Sequence, residues 1–121
     1  PMAETVQARE AIAGAETLWG AAHAFLYRAA EAFWAELEAG TPAVETKGRL
    51  ALANVNCFRM AADVTRELFD LIGANVIFDG SILERLARDA LTLNQHMIIA
   101  QPAVETYGAM MLGEEHPSPL Y

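Results

Sequence analysis

Residues 3–39 read AETVQAREAIAGAETLWGAAHAFLYRAAEAFWAELEA, a run of 37 positions without a proline. Apolar residues recur at Ala11, Ala15, Leu18, Ala22, Phe25, Ala29 and Phe33, at spacings of three and four, which predicts one long helix. A second face carries Trp19, His23, Tyr27 and Trp34. Apolar and aromatic groups thus cover more than half of the circumference, wider than the single stripe of an ordinary surface helix, so this helix is expected to pack on two sides.

The pattern continues outward from that run. Gly40 predicts a C-terminal cap, and Thr41 with Pro42 predicts the N-cap and first turn of the next helix, giving a tight hairpin. That second helix is expected over residues 42–72, with Val44, Ala51, Val55, Phe58, Ala62, Thr65, Phe69 and Ile72 on one side, and it closes at Gly73. Residues 74–80 read as a short connection ending in the turn signal Asp79-Gly80. Ser81 and Glu84 are spaced as a capping box, predicting a third helix over residues 82–99 whose core face is Ile82, Leu86, Ala90, Leu93 and Met97. Gln101-Pro102 interrupts the run, Pro102 opens a shorter fourth helix over residues 102–112, and residues 114–121 read as an extended tail. The fold class is all-α: an up-and-down helical bundle of three long helices and a shorter C-terminal one, in a single domain spanning residues 1–121.

Composition narrows the functions available. The 121 residues are 54% hydrophobic and about a fifth alanine, which favours closely packed helices. Sixteen acids against eight bases give a net charge of -8, which repels a phosphate backbone, so no nucleic-acid partner is expected. Cys57 is the only cysteine, so neither a disulfide framework nor a thiolate metal site is available, as in a reducing cytoplasm. No apolar run reaches the roughly 20 residues of a membrane span and no signal-peptide pattern opens the chain, so a cytoplasmic protein without a membrane partner is expected. The first residue is Pro1, which points to a chain that is processed, tagged or cut from a longer one.

Familiar catalytic constellations are absent from the sequence. A di-metal bundle needs Glu-x-x-His pairs, and none occurs, so no metal is expected. Neither a phosphate-cradling glycine loop nor a nucleophile elbow is present. Glu84 with Arg88, and Arg85 with Asp89, are spaced i,i+4, which on spacing alone reads as a solvated, ion-paired helix face. His96 lies between Leu93 and Met97, where a histidine is more often a hydrogen-bonded packing residue than a catalyst.

Taken as a string, Leu71-Ile72-Gly73-Ala74-Asn75, then Ser81-Ile82-Leu83-Glu84-Arg85-Leu86-Ala87-Arg88-Asp89-Ala90 and Gln95-His96, resembles the C-terminal helical domain of the acyl-CoA dehydrogenase superfamily of flavoenzymes. Arg-x-x-Arg-Asp after a glycine turn is its most specific part, and Val6-Gln7, Tyr107-Gly108 and Leu112-Gly113 extend the likeness over nearly the whole chain. The resemblance implies FAD or FMN in the complete enzyme, with none held tightly by this chain alone. It places Gly73, Ala74, Asn75 and Ser81 near the cofactor and gives Arg85, Arg88 and Asp89 structural or interface roles. In the dehydrogenases the base is often a glutamate eight residues after the aspartate of Arg-Asp, and here that position is Met97, which cannot accept a proton. His96 matches instead the histidine of the flavin-dependent monooxygenase and hydroxylase branch, which implies a catalytic role for it and a separate flavin reductase as partner.

The resemblance also implies N-terminal and middle domains outside this chain, self-association as a homodimer or homotetramer, and no turnover by the 121 residues alone. An acyl-CoA dehydrogenase C-terminal domain is the nearest alternative. A free-standing helical dimerisation or ligand-binding module is the alternative from another class.

Overall fold

The computed structural model describes residues 4–74 and 81–114. Among them there is no strand: α1 runs Val6–Ala39, α2 Val44–Ile72 and α3 Ile82–Leu93, followed by a 3-10 turn at Met97–Ile99 and α4 at Gln101–Met111. The all-α class therefore holds. The connection at 75–80 and the tail from 115 lie outside the described residues.

Helix α1 starts later than the periodicity implies because Thr5 caps it, its hydroxyl accepting from the Ala8 N–H at 3.2 Å. It stops at Gly40, which adopts φ 149°, a left-handed backbone that only glycine takes readily. Gly73 ends α2 in the same way at φ 64°. The hairpin between them corrects the expected cap. Helix α2 begins at Val44 and not in the Thr41-Pro42 turn, and its N-cap residue, Ala43, has no side-chain acceptor to offer.

Glu36, near the end of α1, supplies the acceptor instead. Its carboxylate takes the Ala43 N–H at 2.8 Å and the Thr46 hydroxyl at 2.8 Å, so one acid of the first helix caps the second. The Ala43 amide first, and then the Thr46 hydroxyl, hold its pKa below the ordinary glutamate range. A lowered folded-state pKa contributes stability that is present above the unfolded value and lost as pH falls through the folded one. On acidification through and below the ordinary glutamate range, Glu36→Gln is expected to lose less stability than the wild type. Parallel chemical-denaturation curves over that range would disprove the clamp.

The core is built on small residues. Ala8, Ala11, Ala22 and Ala29 are buried on α1, and Gly48, Ala51, Ala53, Val55 and Ala62 on α2. Alanine gives up no side-chain entropy in a helix and keeps the helices close, so the α1/α2 seam is narrow and the large side chains lie outside it. Leu18 and Phe25, expected on the inward line, are 42% and 37% exposed. Trp19, Tyr27 and Trp34 are exposed as well, and the His23 ring stands between Trp19 (centroids 5.0 Å) and Tyr27 (4.3 Å) along this flank.

The third helix departs most from expectation. It is not long: it ends at Leu93, and Asn94, Gln95 and His96 turn the chain into the 3-10 segment. The Ser81–Glu84 capping box does not form, since Ser81 makes no side-chain cap bond and Glu84 pairs with Arg88 at 3.5 Å. The expected core face is also misphased. Ile82, Leu86, Leu93 and Met97 are all exposed, while Ala87 is buried and Leu83, Ala90 and Asn94 are half-buried.

Helix α3, the 3-10 turn and α4 form one broken rod that runs back along α2. Ala87 and Leu91 share a groove with Thr65 and Phe69, Ile99 bonds to Arg59, and Met110 stands against Gly48, so numbers rise on one side as they fall on the other. A buried cluster of Ala51, Val55, Ile99, Tyr107 and Met110 sits where α4 and the 3-10 turn meet α2. Among the described residues α2 touches every other helix, and α1 touches α2 alone.

Candidate functional site

The residues singled out in the sequence fall at the two ends of α3. At its start, Ser81 is extended (φ -64°, ψ 120°), its carbonyl takes the Arg85 N–H at 3.4 Å, and its hydroxyl makes no cap bond. A crevice of about 220 Å³ opens there, lined by Ser81, Ile82, Glu84, Arg85 and Arg88. Two guanidinium groups and one hydroxyl meet a single carboxylate beside the amide end of a helix. That donor set suits an anion of phosphate size.

The Glu84–Arg88 pair does not close the crevice. Its side chains are 42% and 64% exposed, and an exposed pair of this kind contributes little. Arg85 and Asp89 form no ion pair among the described residues, so the second expected i,i+4 pair is not made. Gly73 lies at the end of α2, and among the described residues no atom stands within 4 Å of the place a Cβ would occupy. Ala74, beside it, is exposed, and Asn75 lies outside the described residues.

His96 stands beyond the other end, past Leu93, about 18 Å along the axis at the rise of a 12-residue helix. The structure therefore does not bring His96 and Ser81 together in one compact pocket. His96 is not packed in the core. It is the N-cap of the 3-10 turn, exposed, with Nδ1 accepting the Ile98 N–H at 3.3 Å. Met97, at the position where the resemblance implies a base in the dehydrogenases, is 64% exposed.

The His96 turn is anchored from below by a residue the sequence reading passed over. Arg59 of α2 donates through Nη2 to the Ile99 carbonyl at 3.3 Å, and the Ile99 side chain is 3% exposed in the core cluster. Nothing in its spacing marks Arg59, an arginine at an exposed position between Phe58 and Met60. Between the two ends of α3, a groove of about 680 Å³ runs along α2 and α3 over Phe69, Ala87 and Leu91, with Arg66 and Arg88 at its rim.

Cys57 is no candidate nucleophile. Its thiol donates to the Ala22 carbonyl at 3.7 Å, and burial pushes its pKa up, away from the thiolate. No group of three or more potential metal ligands occurs among the described residues, and no helix there is long and apolar enough to cross a membrane.

Residues 1–101 match the family described as acyl-CoA dehydrogenase, C-terminal domain. The chain is 32% identical to an indole-3-acetate monooxygenase of Pseudomonas putida over 99% of its own length and 31% of the relative's. It is 27% identical to an indole-3-acetate monooxygenase of Acinetobacter baumannii over 90% of its length and 28% of the relative's. It thus spans less than a third of the curated relatives it matches. A match over most of the chain, on an all-helical fold, fixes the assignment: this chain belongs to the acyl-CoA dehydrogenase C-terminal domain family.

Proposed function

We propose that this chain is the C-terminal helical part of a flavin-dependent monooxygenase, providing one wall of the flavin and substrate site and part of a homo-oligomer interface. The observation that carries the reading is the full-length similarity to an indole-3-acetate monooxygenase, together with methionine at the base position and an exposed histidine beside it. An aromatic acid of the indole-acetate type is the first substrate to try.

The residues at the start of α3 fit a flavin nucleotide. Ser81, Arg85 and Arg88 would take a phosphate, and the backbone at Gly73 and Ala74 would pass close to the nucleotide. The distance from this crevice to His96 calls for an extended ligand, which favours FAD over FMN. Reduced flavin, delivered by a separate reductase, supplies the electrons for activating dioxygen.

This chain's own part is to orient and to handle protons. His96 presents its ring at the solvent-facing edge of the 3-10 turn, where an imidazole can donate to or accept from an oxygen atom. Met97 leaves no carboxylate to remove an α-proton, which disfavours acyl-CoA dehydrogenation. The apolar face of α1, with Trp19, Tyr27 and Trp34 exposed, suits burial against the remainder of the enzyme or a second subunit.

In the complete enzyme, His96→Ala is expected to lower the rate of oxygen insertion by about 10² or more, the range for removal of a positioned proton-transfer group. The measurement is the rate of product formation with reduced flavin supplied, with the flavin Kd followed separately. An unchanged insertion rate would remove the role given to His96.

A further inference from the structure

The 3-10 turn fixes more than the place of His96. An amide N–H can donate to an imidazole nitrogen only if that nitrogen carries no proton. In this structure Nδ1 accepts from Ile98 at 3.3 Å, so in the neutral ring the proton is on Nε2. The same turn is held at its other end, where the Ile99 carbonyl accepts from Arg59 and the Ile99 side chain is buried beside Val55 and Tyr107. Ile99 N–H closes the turn onto the His96 carbonyl at 3.0 Å, linking the two ends.

We infer that Arg59 is a positioning residue, which by holding the Ile99 carbonyl keeps His96 in a single tautomer and makes its outward Nε2–H a hydrogen-bond donor. The inference rests on the reading of His96 as part of the flavin and substrate site, and it specifies what His96 does there. It donates to an oxygen or nitrogen acceptor of the bound molecule. It does not begin its work as a base at Nε2, because in this tautomer that nitrogen has no lone pair to offer.

The chemistry of α2 makes Arg59 suited to the task. Its planar guanidinium reaches from an exposed position, so its loss need not open the core. A hydrogen bond from a charged donor to a carbonyl is stronger than a neutral one and holds the turn accordingly. Lysine preserves the charge and one donor. Methionine preserves length and helix propensity and removes both.

The test is long-range proton–nitrogen NMR on the chain labelled with ¹⁵N-histidine and at backbone amides, in the wild type, Arg59→Met and Arg59→Lys. The wild type is expected to show the Nε2–H tautomer at His96 and a protected Ile98 amide. Arg59→Met is expected to raise Ile98 exchange by roughly ten- to a hundredfold and to mix the tautomers. Arg59→Lys is expected to retain most of the bias. A wild-type ring with its proton on Nδ1 would overturn the inference without any variant. So would an Arg59→Met protein with tautomer and exchange unchanged.

The two levels of the reading fail separately. If the tautomer is held by Arg59 but His96→Ala leaves oxygen insertion intact, the role given to His96 in turnover falls and the positioning device stands. If His96 is required for turnover but its tautomer is unaffected by Arg59, only the positioning role falls.

Discussion

Gly48→Leu will pull the fourth helix away from the second. A Cβ built on Gly48 lies 2.8 Å from the Met110 Cβ and 3.1 Å from the Tyr107 carbonyl oxygen. Neither is the far end of a flexible side chain that could swing aside. Met110 is 5% exposed and Tyr107 1%, so both are wedged in the core cluster. Replacing a mid-helix glycine gains about 0.5–1 kcal/mol in helix preference. Overpacking a filled seam costs about 1–3 kcal/mol and more when backbone must move, and leucine adds three carbons beyond the one that already collides. The net loss is expected to be about 2 kcal/mol, with alanine at the same position losing less. Thermal unfolding should shift downward by roughly 10 °C for leucine. Amide exchange should rise in α4 while α1 stays protected. An unchanged melting temperature would mean that the two helices are further apart than described.

Tyr107→Ala is the larger loss. Tyr107 is the bulkiest fully buried side chain among the described residues, and it packs with Ala51, Val55, Ile99 and Met110. Truncating a buried aromatic removes the transfer energy of the ring and leaves a cavity, together about 3–5 kcal/mol. Against a total stability of about 5–15 kcal/mol, this leaves a chain near its limit. The effect extends beyond stability, because the cavity would open under Ile99, the residue that seats the His96 turn. Denaturant unfolding would measure the energetic part, and the tautomer of His96 would report the local part. A loss below about 1 kcal/mol would contradict the packing described.

Much of the fold was legible in the helix ends. Gly40 and Gly73 are plain stops because their backbones take positive φ, and Pro102 falls in the first turn of α4. What could not be read was the end of α3. Asn94, Gln95 and His96 include neither glycine nor proline, and the chain turns there because His96 takes an extended backbone and caps the next turn. The inward face of α3 was misphased for a physical reason. A search for large apolar side chains finds Ile82, Leu86 and Leu93, whereas this helix turns Ala87 inward, as the narrow seam of α1 and α2 is also lined by alanine.

The candidate site divides in the same way. Ser81, Arg85, Arg88 and His96 were marked by resemblance, but their separation along α3 and the missing capping box needed coordinates. Glu36 and Arg59 left no trace in spacing. Each bonds to backbone distant in sequence, Ala43 in one case and Ile99 in the other, and such a bond leaves no periodic signal.

Because α1 and the broken rod of α3 and α4 meet α2 but not each other, the helices carry unequal packing constraints. A change in α1 that is answered by α2 need not be answered by α4, and the reverse also holds. The constrained party is α2, which gives Cys57 to the α1 side and Gly48, Ala51 and Val55 to the other. Within this chain α2 must satisfy two partners at once, whereas α1 and the rod each answer to one.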